Sequence, residues 1–301
     1  MITPPYLKSG AKVGIVSPAT TVSATEIEEG LKILKSWNLE PVIGENAHNV
    51  YGCFAGTDQE RLEDLQKMLD DDTIKAIIFT RGGYGTIKII DQLDFTNFKK
   101  NPKWIVGYSD ITVLHSHIHT LEIETIHAVM LQGMPRATPE SVASIKTALF
   151  GESLSYKIAK SQKNKFSENT VEGTLVGGNL SILFALNGSV SDIDTTGKIL
   201  FFEDIDEYLY HLDKALIALK RNNKLANLKA ILVGAMTNIK EDNLPYGKTD
   251  YEIVLDEVKE FDYPVYFDFP CGHQPDNQTL ILGRTITITP DGNSVTVTFK
   301  N

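Results

Sequence analysis

In open α/β sheets ligands bind beyond the carboxyl ends of the strands, so reactive side chains are sought first just past buried apolar runs. Ser109 stands in Gly107-Tyr108-Ser109-Asp110, directly after Trp104-Ile105-Val106. A strand-to-helix turn there lifts the hydroxyl to the mouth of a sheet and aims the Asp110 backbone N–H at the same spot, as a nucleophile elbow does, though without the full G-x-S-x-G spelling. An ordinary turn, or Ser109 as a helix N-cap, reads the segment as well. Arg81 to Gly85 follows another apolar run and holds three glycines in five residues. Its backbone can approach a ligand closely and offer N–H donors, which suits a phosphate cradle or an oxyanion hole. It spells neither G-x-G-x-x-G nor a P-loop, so a plain glycine turn is the default. Glu203 follows Ile199-Leu200-Phe201-Phe202, where an ionised carboxylate needs a partner to offset lost hydration; an exposed acidic loop shared with Asp204, Asp206 and Glu207 is the alternative.

Seven histidines are available as a base. His273 lies in Pro270-Cys271-Gly272-His273-Gln274-Pro275, just past Val265-Tyr266-Phe267, again at a strand's exit. His115, His117 and His119 cluster on one predicted helix, but no Asp or Glu at a ligand spacing completes a metal set, so they are expected to be surface or packing residues and no metal is expected. Cys271 and His273 are too close in sequence to form a dyad. Cys53 and Cys271 are each expected to be small buried apolar residues, since two cysteines make no disulfide framework.

The elements that must position these residues alternate. Val13-Gly14-Ile15-Val16 reads as a buried strand. Ser23 and Glu26 then form a capping box ahead of Ile27, Leu31, Leu34 and Trp37, and the segment closes at Asn38 and Pro41. Thr57 and Glu60 repeat the box ahead of Leu62, Leu65, Met68 and Leu69, and Ala76-Ile77-Ile78-Phe79 is the next strand. After Ser109 a helix carries Ile111, Leu114, Ile118 and Leu121. This order predicts an α/β fold with a mostly parallel sheet flanked by helices over residues 1–150. Residues 151–170 lose apolar periodicity and read as a linker. A second α/β domain is predicted over 171–301, with Leu180, Leu183 and Phe184 after Gly177-Gly178-Asn179, a helix carrying Leu209, Leu212, Leu216 and Leu219, and a strand at Ala230 to Val233. It ends in β-rich segments, Thr279 to Thr289 and Ser294 to Phe299, with a hairpin turn at Asp291-Gly292.

A chain of 301 residues with 42% hydrophobic and 23% charged residues is long enough for two ordinary domains. No apolar run approaches a membrane span. Net charge of -10 argues against a nucleic-acid partner, whose affinity comes from clustered Lys and Arg. Met1-Ile2-Thr3-Pro4-Pro5 lacks the basic and apolar regions of a secretory signal, so a cytoplasmic location is expected.

Taken in order, Val13 to Pro18, Phe54-Ala55-Gly56-Thr57-Asp58 with Arg61, Arg81 to Gly85, Gly107 to Asp110, Gly173 to Leu180, Phe202-Glu203-Asp204 and Gly272-His273 resemble the LD-carboxypeptidase family, which includes the muramoyltetrapeptide carboxypeptidases and the microcin-immunity peptidases. The resemblance covers nearly the whole chain. It implies a Ser-His-Glu triad of Ser109, His273 and Glu203 in an interdomain cleft, with backbone N–H groups of Asp110 and Gly83 as the oxyanion hole. Arg81, Tyr84 and Asn179 are candidate substrate-binding residues. No metal or organic cofactor is implied, and a homodimer is.

The implied reaction is release of terminal D-alanine from a cytosolic muramoyl tetrapeptide. The microcin-immunity relatives instead cleave peptidyl- or aminoacyl-nucleotide conjugates and stack a second-domain tryptophan on the base. Here Trp37 and Trp104 both fall in the first domain and read as core, leaving Tyr208 or Tyr210 to stack. A non-catalytic nucleotide or sugar-phosphate binding module, resting on the glycine turns, is a further alternative.

Overall fold

The computed structural model describes residues 1–165 and 167–300. The first half runs β1 (Lys12–Val16), α1 (Ala24–Ser36), β2 (Glu40–Ile43), α2 (Asp58–Asp70), β3 (Ile74–Phe79), α3 (Thr96–Lys100), β4 (Trp104–Gly107), α4 (Thr112–Thr120), β5 (Thr125–His127) and α5 (Pro139–Phe150). There follow β6 (Ser155–Ala159), β7 (Val171–Asn179), α6 (Leu180–Leu186), β8 (Ile199–Ile205), α7 (Leu209–Arg221), β9 (Ala230–Thr237), α8 (Asp250–Glu257), β10 (Val265–Tyr266), β11 (Leu280–Leu282), β12 (Thr285–Asp291) and β13 (Ser294–Phe299). The predicted capping boxes form: the Glu26 carboxylate accepts from the Ser23 backbone N–H at 2.9 Å and that of Glu60 from the Thr57 N–H at 2.7 Å.

Two sheets result. The first has the order β11-β5-β4-β3-β1-β2 and is parallel except at its β11 edge; the second, β10-β9-β8-β7-β12-β13-β6, is parallel from β7 to β10 and antiparallel beyond. Strand alternation explains how they stack. Val13, Ile15, Ala76, Ile78, Trp104 and Val106 share one core with Ile199, Phe201, Ala230 and Leu232, so the sheets face each other across it. The intervening residues turn outward: Ile77, Phe79 and Ile105 pack under α2 and α4, and Leu200, Phe202, Ile231 and Val233 under α6, α7 and α8.

Four features differ from expectation. Pro41 lies within β2 rather than closing the segment, because β2 is the sheet's edge strand and the lost N–H interrupts no second ladder. The expected linker contains β6, which pairs with β13 and thereby covers an edge; Phe166 of that linker lies outside the described residues. Leu280–Leu282 leaves the C-terminal β-rich run and adds to the first sheet beside β5. Cys53 is exposed, contrary to the apolar-core reading, because it sits on the Tyr51–Phe54 turn; Cys271 is buried. Among the described residues no helix is long and apolar enough to cross a membrane.

Candidate active site

Ser109 caps the exit of β4 with φ of +62°, a left-handed conformation that a residue with a Cβ adopts at a cost of roughly 1–3 kcal/mol. The turn aims its side chain at the loop after β3, where a Cβ on Gly82 would stand 3.2 Å from both Cβ and Oγ of Ser109. That loop is held from below by Asp110, whose Oδ2 accepts from the Thr86 backbone N–H at 2.9 Å and the Thr86 hydroxyl at 2.6 Å. Burial pushes the Asp110 carboxyl up, while the Thr86 and Gly85 donors and Arg61 pull it back. Gly83, with φ of +109°, packs so closely on Thr20 that a Cβ would lie 2.0 Å from its hydroxyl oxygen.

Glu203 belongs to β8 itself rather than to the loop beyond it. The strand's period of two places Ile199, Phe201 and Glu203 on the face turned toward the first sheet. Here the ladder slips: Phe202 pairs with Val233 but Asp204 with Met236, so Gly234 and Ala235 both stand opposite Glu203 in a bulge. Glu203 is completely buried, which excludes the exposed acidic loop. Asp204 faces the other side, accepting from the Ser181 backbone N–H at 2.9 Å and the Ser181 hydroxyl at 2.7 Å, and burial pushes its carboxyl up to about 6.

His273 rides on the loop after β10, pinned to β9 by Ala235 N–H to Cys271 O at 2.8 Å and by the Thr237 hydroxyl to His273 O at 2.8 Å. Its Nδ1 lies 2.6 Å from Glu203 Oε2 and its Nε2 lies 3.1 Å from Ser109 Oγ. Burial works against protonation of the imidazole, but the Glu203 hydrogen bond and charge, with Asp204 and Asp206 behind, outweigh it and hold its pKa above the ordinary histidine value. The Tyr108 ring packs on His273 with centroids 4.8 Å apart, and burial, with Glu203 adding, pushes its phenol up to about 12. The structure thus brings Ser109, His273 and Glu203 into one hydrogen-bonded series, an arrangement suited to nucleophilic acyl transfer.

A pocket of about 170 Å³ opens beside Ser109 and His273, and Arg81, Gly83 and Arg136 are among the residues on its wall. Tyr84 does not line it: it turns outward, 55% exposed, with its ring 6.2 Å from Phe54. Nor does Asn179, expected as a substrate ligand. It is buried because its amide donates to Asp204 Oδ1 at 2.9 Å and more distantly to Glu203 Oε1 at 3.4 Å, while its Oδ1 caps α6. Its place is behind the carboxylate. The histidines of α4 diverge: His115 bonds Thr125 and the Gly107 carbonyl, His117 bonds Ser191, and His119 meets Lys198. Among the described residues no group of three or more His, Cys, Asp or Glu side chains is set to hold a metal. Burial raises the Cys271 thiol well above its usual range, so it offers no competing thiolate. Sequence reasoning missed Tyr108, Gln132 and Arg136; the signal for the last two was the exit of β5, a strand of three residues.

Residues 13–128, which include Ser109, match the LD-carboxypeptidase N-terminal domain; residues 172–288, which include Glu203 and His273, match the LD-carboxypeptidase C-terminal domain. The chain is 35% identical to the "Probable murein peptide carboxypeptidase" of Bacillus subtilis (strain 168) over 274 residues, 90% of this chain and 86% of the relative. The muramoyltetrapeptide carboxypeptidase from Oxalobacter formigenes, a solved structure, superposes with a TM-score of 0.86 at 25% identity, covering 96% of this chain and 99% of that one. The microcin C7 self-immunity protein MccF of Escherichia coli is 24% identical over 97% of this chain and 94% of its own length.

Proposed function

The chain belongs to the LD-carboxypeptidase family, and on that premise we propose that it is a serine hydrolase releasing terminal D-alanine from a muramoyl tetrapeptide by cleaving its L,D amide bond. The observation that carries the reading is the continuous series Ser109 Oγ, His273, Glu203, with contacts of 3.1 and 2.6 Å. A neutral serine is a poor nucleophile near pH 7, so His273 takes its proton as Oγ attacks the amide carbonyl. Glu203, bonded to Nδ1, keeps the acceptor nitrogen toward Ser109 and stabilises the imidazolium. Negative charge then develops on the carbonyl oxygen, where the backbone N–H groups of Asp110 and Gly83 receive it. Each such donor is worth roughly 100- to 1,000-fold in rate. His273 protonates the departing D-alanine amine, and water repeats the cycle on the acyl-enzyme.

Because the serine comes from the first sheet and the carboxylate and histidine from the second half of the chain, the site is read as a cleft between domains of residues 1–150 and 171–301. A small polar pocket suits a single terminal residue better than a nucleotide, since pockets for larger ligands usually span about 300–1,000 Å³. Trp104 is fully buried and Trp37 packs on the core, which removes both from base stacking; Tyr210, exposed and stacked on Tyr208, remains for a nucleotide conjugate. A cytosolic homodimer completes the reading, as the family resemblance implies.

Mass spectrometry of a muramoyl tetrapeptide incubated with wild type and with Ser109→Ala tests it. D-alanine release is expected from wild type and slower by on the order of 10⁴-fold or more from the variant. Cleavage of an aminoacyl-nucleotide amide alone would move the protein to the immunity branch, and cleavage of neither would sink the proposal.

A further inference from the structure

The pocket beside Ser109 presents two guanidinium groups that differ in what they are free to do. Arg81 is engaged with the protein: its Nη1 reaches the Thr21 carbonyl oxygen at 3.5 Å, and its charge acts on Glu26. Arg136, at the end of the short turn Met134–Arg136, is exposed, and among the described residues its side chain makes no hydrogen bond or ion pair. Its field nonetheless enters the site, where it opposes the upward push on the Tyr108 phenol.

The backbone around Arg136 is fixed from both sides. Upstream, the N–H groups of Leu131 and Gln132 donate to Phe79 and Thr80 carbonyls at 3.2 and 3.0 Å, joining this segment to the root of the Arg81 to Gly85 loop. Downstream, the Thr138 N–H donates to Pro275 O at 2.9 Å, joining it to the loop that carries His273. Arg136 is therefore an uncompensated cation built on a frame tied to two walls of the reactive site. The chain carries a net charge of -10, so an anionic substrate end needs such a local positive group to approach.

We propose that Arg136 receives the terminal carboxylate of the substrate and is the residue that makes the enzyme select free C-termini. The inference rests on the carboxypeptidase reading. A planar guanidinium meets a carboxylate with two parallel N–H···O bonds, a fit that a C-terminal amide cannot reproduce.

The test compares kcat/KM for a muramoyl tetrapeptide and for the same peptide with a C-terminal carboxamide, using wild type, Arg136→Gln, Arg136→Lys and Arg81→Gln. Wild type is expected to favour the acid. Arg136→Gln should lower the acid-to-amide ratio by roughly 10- to 100-fold, the scale of a lost charge-assisted bond, mainly through KM. Arg136→Lys should fall between, and Arg81→Gln should change the ratio less than Arg136→Gln. An unchanged ratio in Arg136→Gln, or a collapse in Arg81→Gln alone, overturns the assignment while leaving D-alanine release by wild type intact. Labelling of Ser109 by a small uncharged phosphonate separates recognition from folding: if Arg136→Gln loses labelling as well as the acid substrate, the residue is structural and the assignment falls. Wild type that releases no D-alanine at all would remove the carboxypeptidase reading and this inference together.

Discussion

On the proposed mechanism the imidazole of His273 is the group on which the chemistry turns, and its protonation sets a pH dependence with a definite sign. Only the neutral ring accepts the serine proton, and the Glu203 hydrogen bond holds its pKa above the ordinary value despite burial. The acid limb of kcat/KM should therefore have its midpoint above about 6.5, with activity rising as pH rises through it. Glu203→Gln removes the charge that opposes burial. Its limb should move to lower pH while the plateau drops by on the order of 10⁴-fold, the size of effect seen when the carboxylate of such a triad is made an amide. Paired pH–rate profiles decide this, and a limb that stays in place in the variant would refute His273 as the titrating base.

At the scale of elements, the site is assembled from backbone that few residues can adopt. Gly272 has φ of +111°, and a Cβ there would come within 2.7 Å of Glu203 Oε2. Gly272→Ala is thus expected to strain the loop by about 1–3 kcal/mol and to displace the Glu203 and His273 contact. Since misplacement of a catalytic group by about 1 Å costs on the order of 100-fold, kcat should fall by at least that much. Thermal unfolding with steady-state kinetics measures both; lost stability with unchanged kcat would show that the loop yields without moving the carboxylate. On the facing wall, Thr86 is the corresponding support, because its N–H and hydroxyl both bind Asp110. Thr86→Val removes the hydroxyl bond alone and is expected to cost about 1–3 kcal/mol by chemical denaturation, the range for a buried hydrogen bond to an acidic group.

For the whole molecule, the link between the sheets is both apolar and ionic. The core between them contains residues of both, and β11 crosses from the C-terminal half to the first sheet. Just after β11, Arg284 forms a buried two-point ion pair with Glu124, Nη2 to Oε2 at 2.6 Å and Nε to Oε1 at 3.2 Å. Removing one partner leaves the other charged and unpaired out of water, so Arg284→Met should destabilise by about 3–5 kcal/mol. The double variant Arg284→Met with Glu124→Leu should lose less than the two single losses summed. A double-mutant cycle in denaturant reads the coupling, and additive losses would show that the pair does not act as a unit.

Much of this protein is legible without its tertiary structure, because much of it is local. Capping boxes at Ser23 and Thr57 involve residues three apart, and the apolar runs of β1, β3, β4, β8 and β9 are long enough to declare themselves as buried strands. The run of β4 marks Ser109, and Val265-Tyr266-Phe267 marks His273, as residues at strand exits, and the ordered set of motifs resembles one family over nearly the whole chain. What the local pattern does not contain is convergence. Ser109 and His273 are 164 residues apart and Glu203 and His273 are 70 apart, and their contact depends on two sheets stacked through one core. The bulge at Glu203 is a mismatch between two strands and has no signature in either alone. β5 and β11, of three residues each, are too short to show a period, and β6 becomes a strand because β13 offers it an edge. Arg136 reads as one more exposed charge until the backbone around it is seen tied to both loops of the site, a relation that only long-range hydrogen bonds create.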